Sequence, residues 1–135
     1  MENSKKNQSI QTFQDLRVYQ NLYKAMLIVN RKIVIKLPKE EKFNLVNQMR
    51  RASQGAPALI AEGFAKRYQE KHWRKYINDA IGECNEMIHH LSVCIDVYSA
   101  FIDKNNCQET ISLYDYSARQ LTKLGQCWRD YHNRK

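Results

Sequence analysis

Apolar side chains recur at steps of three and four residues along most of the chain, which is the pattern of amphipathic helices. The longest run extends from about Gln69 to Asp103, and its apolar positions are Trp73, Ile77, Ala80, Cys84, Met87, Leu91, Ile95, Tyr98 and Ile102. A helix of this length needs partners of similar length to cover its apolar face. The pattern therefore predicts a helical bundle.

The first predicted helix begins near Thr12 or Asp15 and ends at Leu37, because Pro38 disfavours helical geometry at the residue before it. Its expected inner stripe consists of Leu16, Tyr19, Tyr23, Met26, Ile33 and Leu37, with Asn30 interrupting it. A second apolar face beside this stripe indicates contact with more than one helix or with another subunit. That face consists of Leu22, Val29 and Ile35.

The second predicted helix starts just after Pro38 and ends at Gly63, since glycine readily takes the left-handed conformation that closes many helices. Pro57 lies inside this helix. It removes the hydrogen bond to the Ser53 carbonyl, at a cost of about 3 kcal/mol in a helix interior. We therefore expect a kink or break near Ser53.

A turn at Lys104–Asn106 leads into the fourth predicted helix, which Asn106 would cap together with Glu109. This helix is expected to fray beyond Tyr131. Residues 1–11 are polar without a period, which predicts a flexible tail before a single domain at residues 12–135. Four helices with short connections predict an all-α fold, an antiparallel up-down-up-down four-helix bundle.

The formal net charge of the chain is +8, from 22 Lys and Arg against 14 Asp and Glu. Such an excess favours polyanionic partners: RNA, DNA or an anionic membrane surface. A basic surface without any ligand is the alternative.

The four cysteines, Cys84, Cys94, Cys107 and Cys127, lack the spacing of a zinc site. The N-terminal residues do not resemble a signal peptide, and no apolar stretch approaches the length of a membrane span. We therefore expect a cytoplasmic protein with reduced thiols, no metal, no cofactor and no membrane contact.

The most informative stretch joins an Ala-Glu-Gly corner to a basic segment, residues 66–75. Its five cations are Lys66, Arg67, Lys71, Arg74 and Lys75, and the aromatic residues in and around it are Phe64, Tyr68, Trp73 and Tyr76. Cations can contact phosphates, and exposed aromatic rings can stack on unpaired bases. The segment therefore predicts a nucleic-acid contact; the alternative is a solvated helix start whose aromatic rings belong to the core.

Arg50 and Arg51 form a second basic point, where adjacent positions on a helix point about 100° apart. The step Glu86-x-x-His89 matches half of a di-iron bundle motif. The second half is missing, so we expect a polar strip in which Glu86 pairs weakly with His90.

Phosphate-binding loops and nucleophile elbows are absent from the sequence, so we expect no enzymatic activity.

Several motifs occur in a characteristic order between residues 13 and 125: Phe13-x-x-Leu16-x-Val18-Tyr19, Leu37-Pro38-x-Glu40, Gln48-Met49-Arg50-Arg51-Ala52, Pro57-x-x-Ile60-Ala61-Glu62-Gly63 and Ala80-x-Gly82-x-x-x-Glu86. Together they resemble the bacterial four-helix-bundle family named after proteins encoded in 23S ribosomal RNA intervening sequences. Accessory proteins of diversity-generating retroelements are structurally similar relatives. Departures from the family pattern occur at Gly55, Ala56, Leu59 and Glu83.

The resemblance implies a homopentameric, barrel-like ring with a positively charged surface and no known catalysis. For the retroelement relatives it implies binding to nucleic acid and to a reverse transcriptase. At the matched positions, Arg50, Arg51 and Glu62 suggest an ion-pair network at the protomer or subunit contact. Gly63 lets helices approach closely, and Gly82 leaves room for a neighbouring helix. We take Glu62, Gly63, Gly82 and Glu86 as candidate structural or subunit contacts.

Two functions from different classes fit these residues. The first is a non-catalytic, oligomeric protein that binds RNA or DNA through Lys66, Arg67, Lys71, Arg74 and Lys75, with Arg50 and Arg51 as secondary contacts. The second is a protein-interaction scaffold without a nucleic-acid ligand.

Overall fold

The computed structural model describes residues 10–133, with side chains as far as Trp128. This range holds four long helices and no strand: α1 Arg17–Ile28, α2 Leu45–Phe64, α3 Glu70–Val97 and α4 Lys104–Asn133. The predicted all-α class is confirmed. Most of the predicted tail at residues 1–11, and residues 134–135 of the predicted domain, lie outside the described residues.

Each long helix packs against two others: α1 against α2 and α4, and α3 against α2 and α4. The four helices thus surround one core, as in a four-helix bundle. All four contribute large, fully buried side chains, which are Leu22, Met49, Ile60, Trp73, Ile77, Met87, Leu91, Tyr114 and Leu121. Each such side chain stabilises the fold by about 1.5–3 kcal/mol through the apolar area it removes from water.

Helix α1 and its continuation bury residues from both predicted apolar stripes. Their buried positions include Val18, Leu22, Ala25, Val29 and Ile33. The predicted inner stripe is wrong at Tyr23, and the second face is wrong at Ile35, because both side chains are exposed. Small and branched side chains let α1 approach its neighbours closely, so the bulkier tyrosine stripe is displaced to the side.

The helical path of α1 continues through a π-helical turn, Val29–Ile33, and a 3₁₀ turn, Val34–Lys36. Asn30, which interrupts the apolar pattern, lies in this π turn. Its side-chain amide donates hydrogen bonds to the Met26 carbonyl at 2.8 Å and to the Ser53 hydroxyl at 3.0 Å. The Met26 carbonyl also accepts the Val29 N–H, so Asn30 adds a second hydrogen bond there, and its contact with Ser53 ties the turn to α2.

The ends of this path differ partly from the prediction. A 3₁₀ turn, Phe13–Asp15, precedes α1, and the Asp15 carboxylate accepts hydrogen bonds from the backbone N–H groups of Gln11 and Thr12. The Thr12 N–H, followed by that of Gln11, lowers the pKa of Asp15. At the other end Leu37 is extended before Pro38, as predicted.

Helix α2 differs from the prediction at its start and at its centre. A 3₁₀ turn, Lys39–Glu41, separates Pro38 from the first residue of α2. The helix is continuous through Pro57, so the break expected near Ser53 does not occur. Pro57 is itself buried beside Ala56 and Ile60. Packing of this apolar face offsets the hydrogen bond that Pro57 removes.

Helix α3 is shorter than predicted and ends at Val97 instead of Asp103. Tyr98 leaves the helix with a ψ of 29°. The Tyr98 hydroxyl donates to the Glu41 carboxylate, and its ring meets the edge of Phe101. These two contacts fix the connection from α3 to α4 on the side of the α1–α2 connection.

The predicted cap of α4 is also wrong. Lys104 and Asn106 are already helical, and the cap is Asp103, whose carboxylate accepts the backbone N–H groups of Asn105 and Asn106 at 2.9 and 3.2 Å. Aspartate is among the strongest N-cap residues because it satisfies N–H groups that have no partner within the helix.

The four cysteines are free. Burial raises the pKa of Cys84 and of Cys94 to about 12, and that of Cys107 to about 11. Cys127 is exposed on α4. Across residues 10–133 no helix combines the length and apolarity needed to cross a lipid bilayer.

Candidate nucleic-acid interface

The corner between α2 and α3 is closed by direct contact between Gly63 and Tyr76. Gly63 is buried in the last turn of α2, and none of the glycines among the described residues has a positive φ. A Cβ atom at Gly63 would lie 2.5 Å from the Tyr76 Cβ. The predicted left-handed stop at Gly63 is therefore wrong: the position needs glycine because α3 passes too close for a side chain.

Glu62 contributes to the same corner. Its carboxylate accepts a hydrogen bond from the Tyr76 hydroxyl at 3.0 Å. Tyr76 therefore contacts two consecutive residues of α2, through its ring base and through its hydroxyl. Within one copy of the chain, Glu62 and Gly63 hold α2 against α3.

Arg67 is the basic residue most deeply involved in this corner. Its guanidinium donates to the Phe64 carbonyl at 2.9 Å, which satisfies a carbonyl at the end of α2. The same group lies 4.0 Å from the centre of the Phe64 ring and 4.5 Å from that of Tyr68. Trp128 of α4 donates its indole N–H to the Arg67 carbonyl at 2.8 Å. These contacts give Arg67 a structural role.

The aromatic rings near the basic segment divide between core and surface. Phe64 and Trp73 are buried and meet edge to face, and Trp73 packs in the same way on Trp128. Tyr76 is half-buried against Gly63. The Tyr68 ring is exposed, although the Arg67 guanidinium already lies against it. For Phe64 and Trp73 the alternative interpretation, that the rings belong to the core, is correct.

The four remaining cations of the basic segment are all exposed, but they differ in their partners. Arg74 pairs with Glu70, and Lys75 pairs with Asp79 at 2.9 Å, both one helical turn apart. Lys66 lies over the Tyr76 ring, with 5.6 Å between the ammonium and the ring centre. Among the described side chains, no carboxylate lies within 4.0 Å of the Lys66 or Lys71 ammonium.

Arg50 and Arg51 diverge as adjacent helical residues must. Arg51 pairs with Glu86 of α3 at 3.2 Å, whereas Arg50 makes a long contact of 3.5 Å with the Asn30 side chain. Glu86 also contacts His90 at 3.0 Å, as expected from their spacing. The expected network of Arg50, Arg51 and Glu62 does not form within one chain, because Glu86 is the partner of Arg51.

Two positions where the chain departs from the expected family pattern contact each other. A Cβ atom at Gly55 would lie 2.5 Å from a carboxylate oxygen of Glu83. The absence of a side chain on α2 thus makes room for a longer one on α3. Burial, followed by the nearby Glu86 carboxylate, raises the pKa of Glu83. Gly82 is different, since a Cβ added there would meet nothing within 4 Å.

The motifs between residues 13 and 125 therefore occupy the helices and contacts that define the bundle. The family model for the 23S rRNA-intervening sequence protein matches residues 14–123. The chain belongs to this family. Membership of the 23S rRNA-intervening sequence protein family confirms the resemblance, over almost the range that the motifs indicate. No curated protein sequence matches the chain closely.

Three contacts of this corner were not predicted from the sequence: Gly63 with Tyr76, Arg67 with the Phe64 carbonyl, and Trp128 with the Arg67 carbonyl. The Ala-Glu-Gly triplet signalled close helices but not the partner. Within residues 10–128, no group of three or more His, Cys, Asp or Glu side chains is arranged to hold a metal ion.

Proposed function

We propose that this chain is a non-catalytic nucleic-acid-binding protein of the 23S rRNA-intervening sequence protein family, which contacts phosphates through its basic surface. The observation that supports this proposal is the set of basic side chains without intramolecular partners. Among the described residues the lysines and arginines that pair with carboxylates are Arg51, Arg74, Lys75 and Arg119. Apart from Arg67, the other lysines and arginines whose side chains the structure describes are exposed, and their charge attracts polyanions.

The pairing pattern ranks the predicted contact residues. Lys66 and Lys71 are exposed, and no carboxylate that the structure describes pairs with them, so their ammonium groups can contact phosphates. Arg74 and Lys75 must first break their ion pairs with Glu70 and Asp79. Arg67 is already hydrogen-bonded in the corner. Arg50 keeps only its long contact with Asn30. Lys66, Lys71 and Arg50 are therefore the strongest candidates.

Titration of a labelled RNA or DNA oligonucleotide at several salt concentrations tests this proposal. Affinity should fall steeply with salt, because each phosphate contact releases counterions. Lys71→Gln should weaken binding more than Lys75→Gln, which removes the same charge from the same helix at a position already paired. No binding at low salt, or binding insensitive to salt, would contradict the proposal.

We further propose an antiparallel up-down-up-down arrangement and a homopentameric ring, as the family resemblance implies. Support for the antiparallel pairing of α1 and α4 comes from the hydrogen bond between Asn21 and Gln120, and from Arg31 and Asn106 lining one cleft. Light scattering on the purified chain measures the molar mass of the assembly, which should be that of five chains. A monomeric mass would contradict it.

A protein-interaction scaffold remains a second candidate, with a reverse transcriptase among its candidate partners. The observation that favours it is a set of exposed apolar side chains on the described surface, namely Ile35, Phe43, Val97 and Phe101. Pull-down of the reverse transcriptase with and without nuclease separates the candidates. Association that survives nuclease favours the scaffold, and association that is lost favours a nucleic-acid bridge.

A further inference from the structure

A cleft of about 460 Å³ opens where the end of the α1 path meets the start of α4. We call it the basic cleft. Its walls include Arg31, Lys32, Ile35, Lys36, Phe101 and Asp103. The volume lies in the range of sites that enclose a small ligand or one unit of a polymer.

The three cations of the basic cleft are not paired with any carboxylate that the structure describes. Among the described side chains, no carboxylate lies within 4.0 Å of Arg31, Lys32 or Lys36. The acid in the cleft, Asp103, is engaged in capping α4 through two backbone N–H groups. Three cations against one carboxylate leave the lining of the cleft with an excess of positive charge.

Two apolar side chains in the cleft are open to solvent. Ile35 is 59% exposed and Phe101 is 50% exposed. The Phe101 ring is supported from one side by an edge contact with Tyr98, with ring centres 6.3 Å apart. Tyr98 is in turn held by Glu41. Phe101 thus offers a braced, half-exposed ring beside three cations.

The π turn positions the cations of this cleft. Arg31 and Lys32 belong to the turn, and Asn30 ties the turn to α2 through Ser53. π-helical turns are rare and often occur at functional sites. The backbone that carries two of the three cations is therefore fixed by a side-chain contact.

We propose that the basic cleft binds a single-stranded segment of nucleic acid, with Arg31, Lys32 and Lys36 on consecutive phosphates and one base stacked on Phe101. This proposal rests on the proposed function and specifies a site outside the basic segment. Stacking needs a base whose face is free, which a strand offers and a duplex does not. An acidic peptide matches the charge of the cleft but has no need of an aromatic ring at position 101.

Fluorescence anisotropy with a labelled oligonucleotide of about 20 nucleotides tests the proposal, using the full-length chain and a duplex of the same sequence for comparison. The charge variant is Lys32→Gln with Lys36→Gln. Its matched control is Lys24→Gln with Lys123→Gln, which removes two exposed charges elsewhere. Circular dichroism melts check that each variant is folded.

The charge variant should bind the single strand about tenfold more weakly and should lower the salt slope by about 1.4, from two lost phosphate contacts. Phe101→Leu should weaken binding about tenfold through lost stacking, whereas Phe101→Tyr, which keeps a ring, should bind as the wild type does. The duplex should bind more weakly and should be insensitive to Phe101→Leu.

Equal losses in the charge variant and its control would overturn the proposal, since they would show a diffuse effect of net charge. So would wild-type affinity in Phe101→Leu, or displacement of the oligonucleotide by a polyglutamate peptide at similar charge concentration. If the wild type binds nucleic acid and only Lys71→Gln weakens it, this proposal alone fails. If the wild type binds no nucleic acid, the proposed function fails as well.

Discussion

The basic segment and the basic cleft are both rich in cations, but the protein uses those cations differently. In the basic segment Arg67 closes the end of α2, and Arg74 and Lys75 are paired with carboxylates on their own helix. In the basic cleft none of the three cations pairs with a carboxylate of the described residues. A run of basic residues in a sequence therefore measures charge density, whereas availability for a ligand depends on what the fold has already placed beside each charge.

The strongest test of the structural role of the first region is at Gly63, in the corner beside the basic segment. Gly63→Ala should destabilise the protein by about 3 kcal/mol, because the new Cβ meets the Tyr76 Cβ and Cγ atoms, which cannot move without shifting α3. Urea unfolding followed by circular dichroism measures the change. The matched variant Gly82→Ala should stabilise by about 0.5–1 kcal/mol, since open space surrounds Gly82. Similar values for both would contradict the close contact at the corner.

Arg67 and Lys32 provide the next test. Arg67→Ala should cost about 1–2 kcal/mol, because it removes a charged hydrogen bond to the Phe64 carbonyl and stacking between two rings. Lys32→Ala should change the free energy of unfolding by less than about 0.5 kcal/mol, as exposed positions without contacts do. Thermal melts of both variants compare the two regions. If Lys32→Ala lost more stability than Arg67→Ala, Lys32 would have the structural role and Arg67 would be the cation free for a ligand.

A smaller difference in stability is expected between variants of Lys75 and Lys71 in the basic segment. Lys75→Gln breaks the pair with Asp79 and should lower the melting temperature slightly at low salt. Lys71→Gln removes an unpaired charge and should have no measurable cost. Adding salt should abolish the effect of Lys75→Gln, and a persistent effect would mean that Lys75 contributes by packing.

The smallest expected effect on stability concerns the hydrogen bond between Tyr98, which contacts Phe101 of the basic cleft, and Glu41. The Tyr98 hydroxyl bond lowers the pKa of Glu41, so this interaction stabilises the protein above the ordinary glutamate pKa of 4.5 and is lost as the pH falls through the lowered value. Tyr98→Phe should therefore be slightly less stable than the wild type near neutral pH, with the difference vanishing in acid. A difference that grows in acid would contradict this sign. Melting temperatures across the pH range measure it.

Much of the fold was predictable because long apolar periodicity survives in the sequence. Helix α3, the end of the α1 path before Pro38, and the all-α class follow from local pattern alone. The helix ends were harder to predict. Helix α3 ends at Val97, and the next residue, Tyr98, contacts Glu41, which is 57 residues away and so invisible to a local pattern. Asp103, not Asn106, caps α4.

The candidate site was less predictable than the fold, because it depends on pairs between helices. The sequence shows five cations in the basic segment, but it does not show that Arg67 turns back onto Phe64 or that Gly63 accommodates Tyr76. Asn30 was visible only as an interruption of the apolar stripe. Its role in the π turn appears once Ser53 of α2 lies within hydrogen-bond distance.

The different burial of the four thiols has a practical consequence. Cys84, Cys94 and Cys107 are enclosed and stay protonated at neutral pH, whereas Cys127 is open to reagents beside Tyr68 and Trp128. A maleimide dye should therefore react at one position of the unaltered chain. That dye would sit next to the exposed ring of Tyr68, so its emission would report the arrival of an oligonucleotide there without any cysteine having to be replaced.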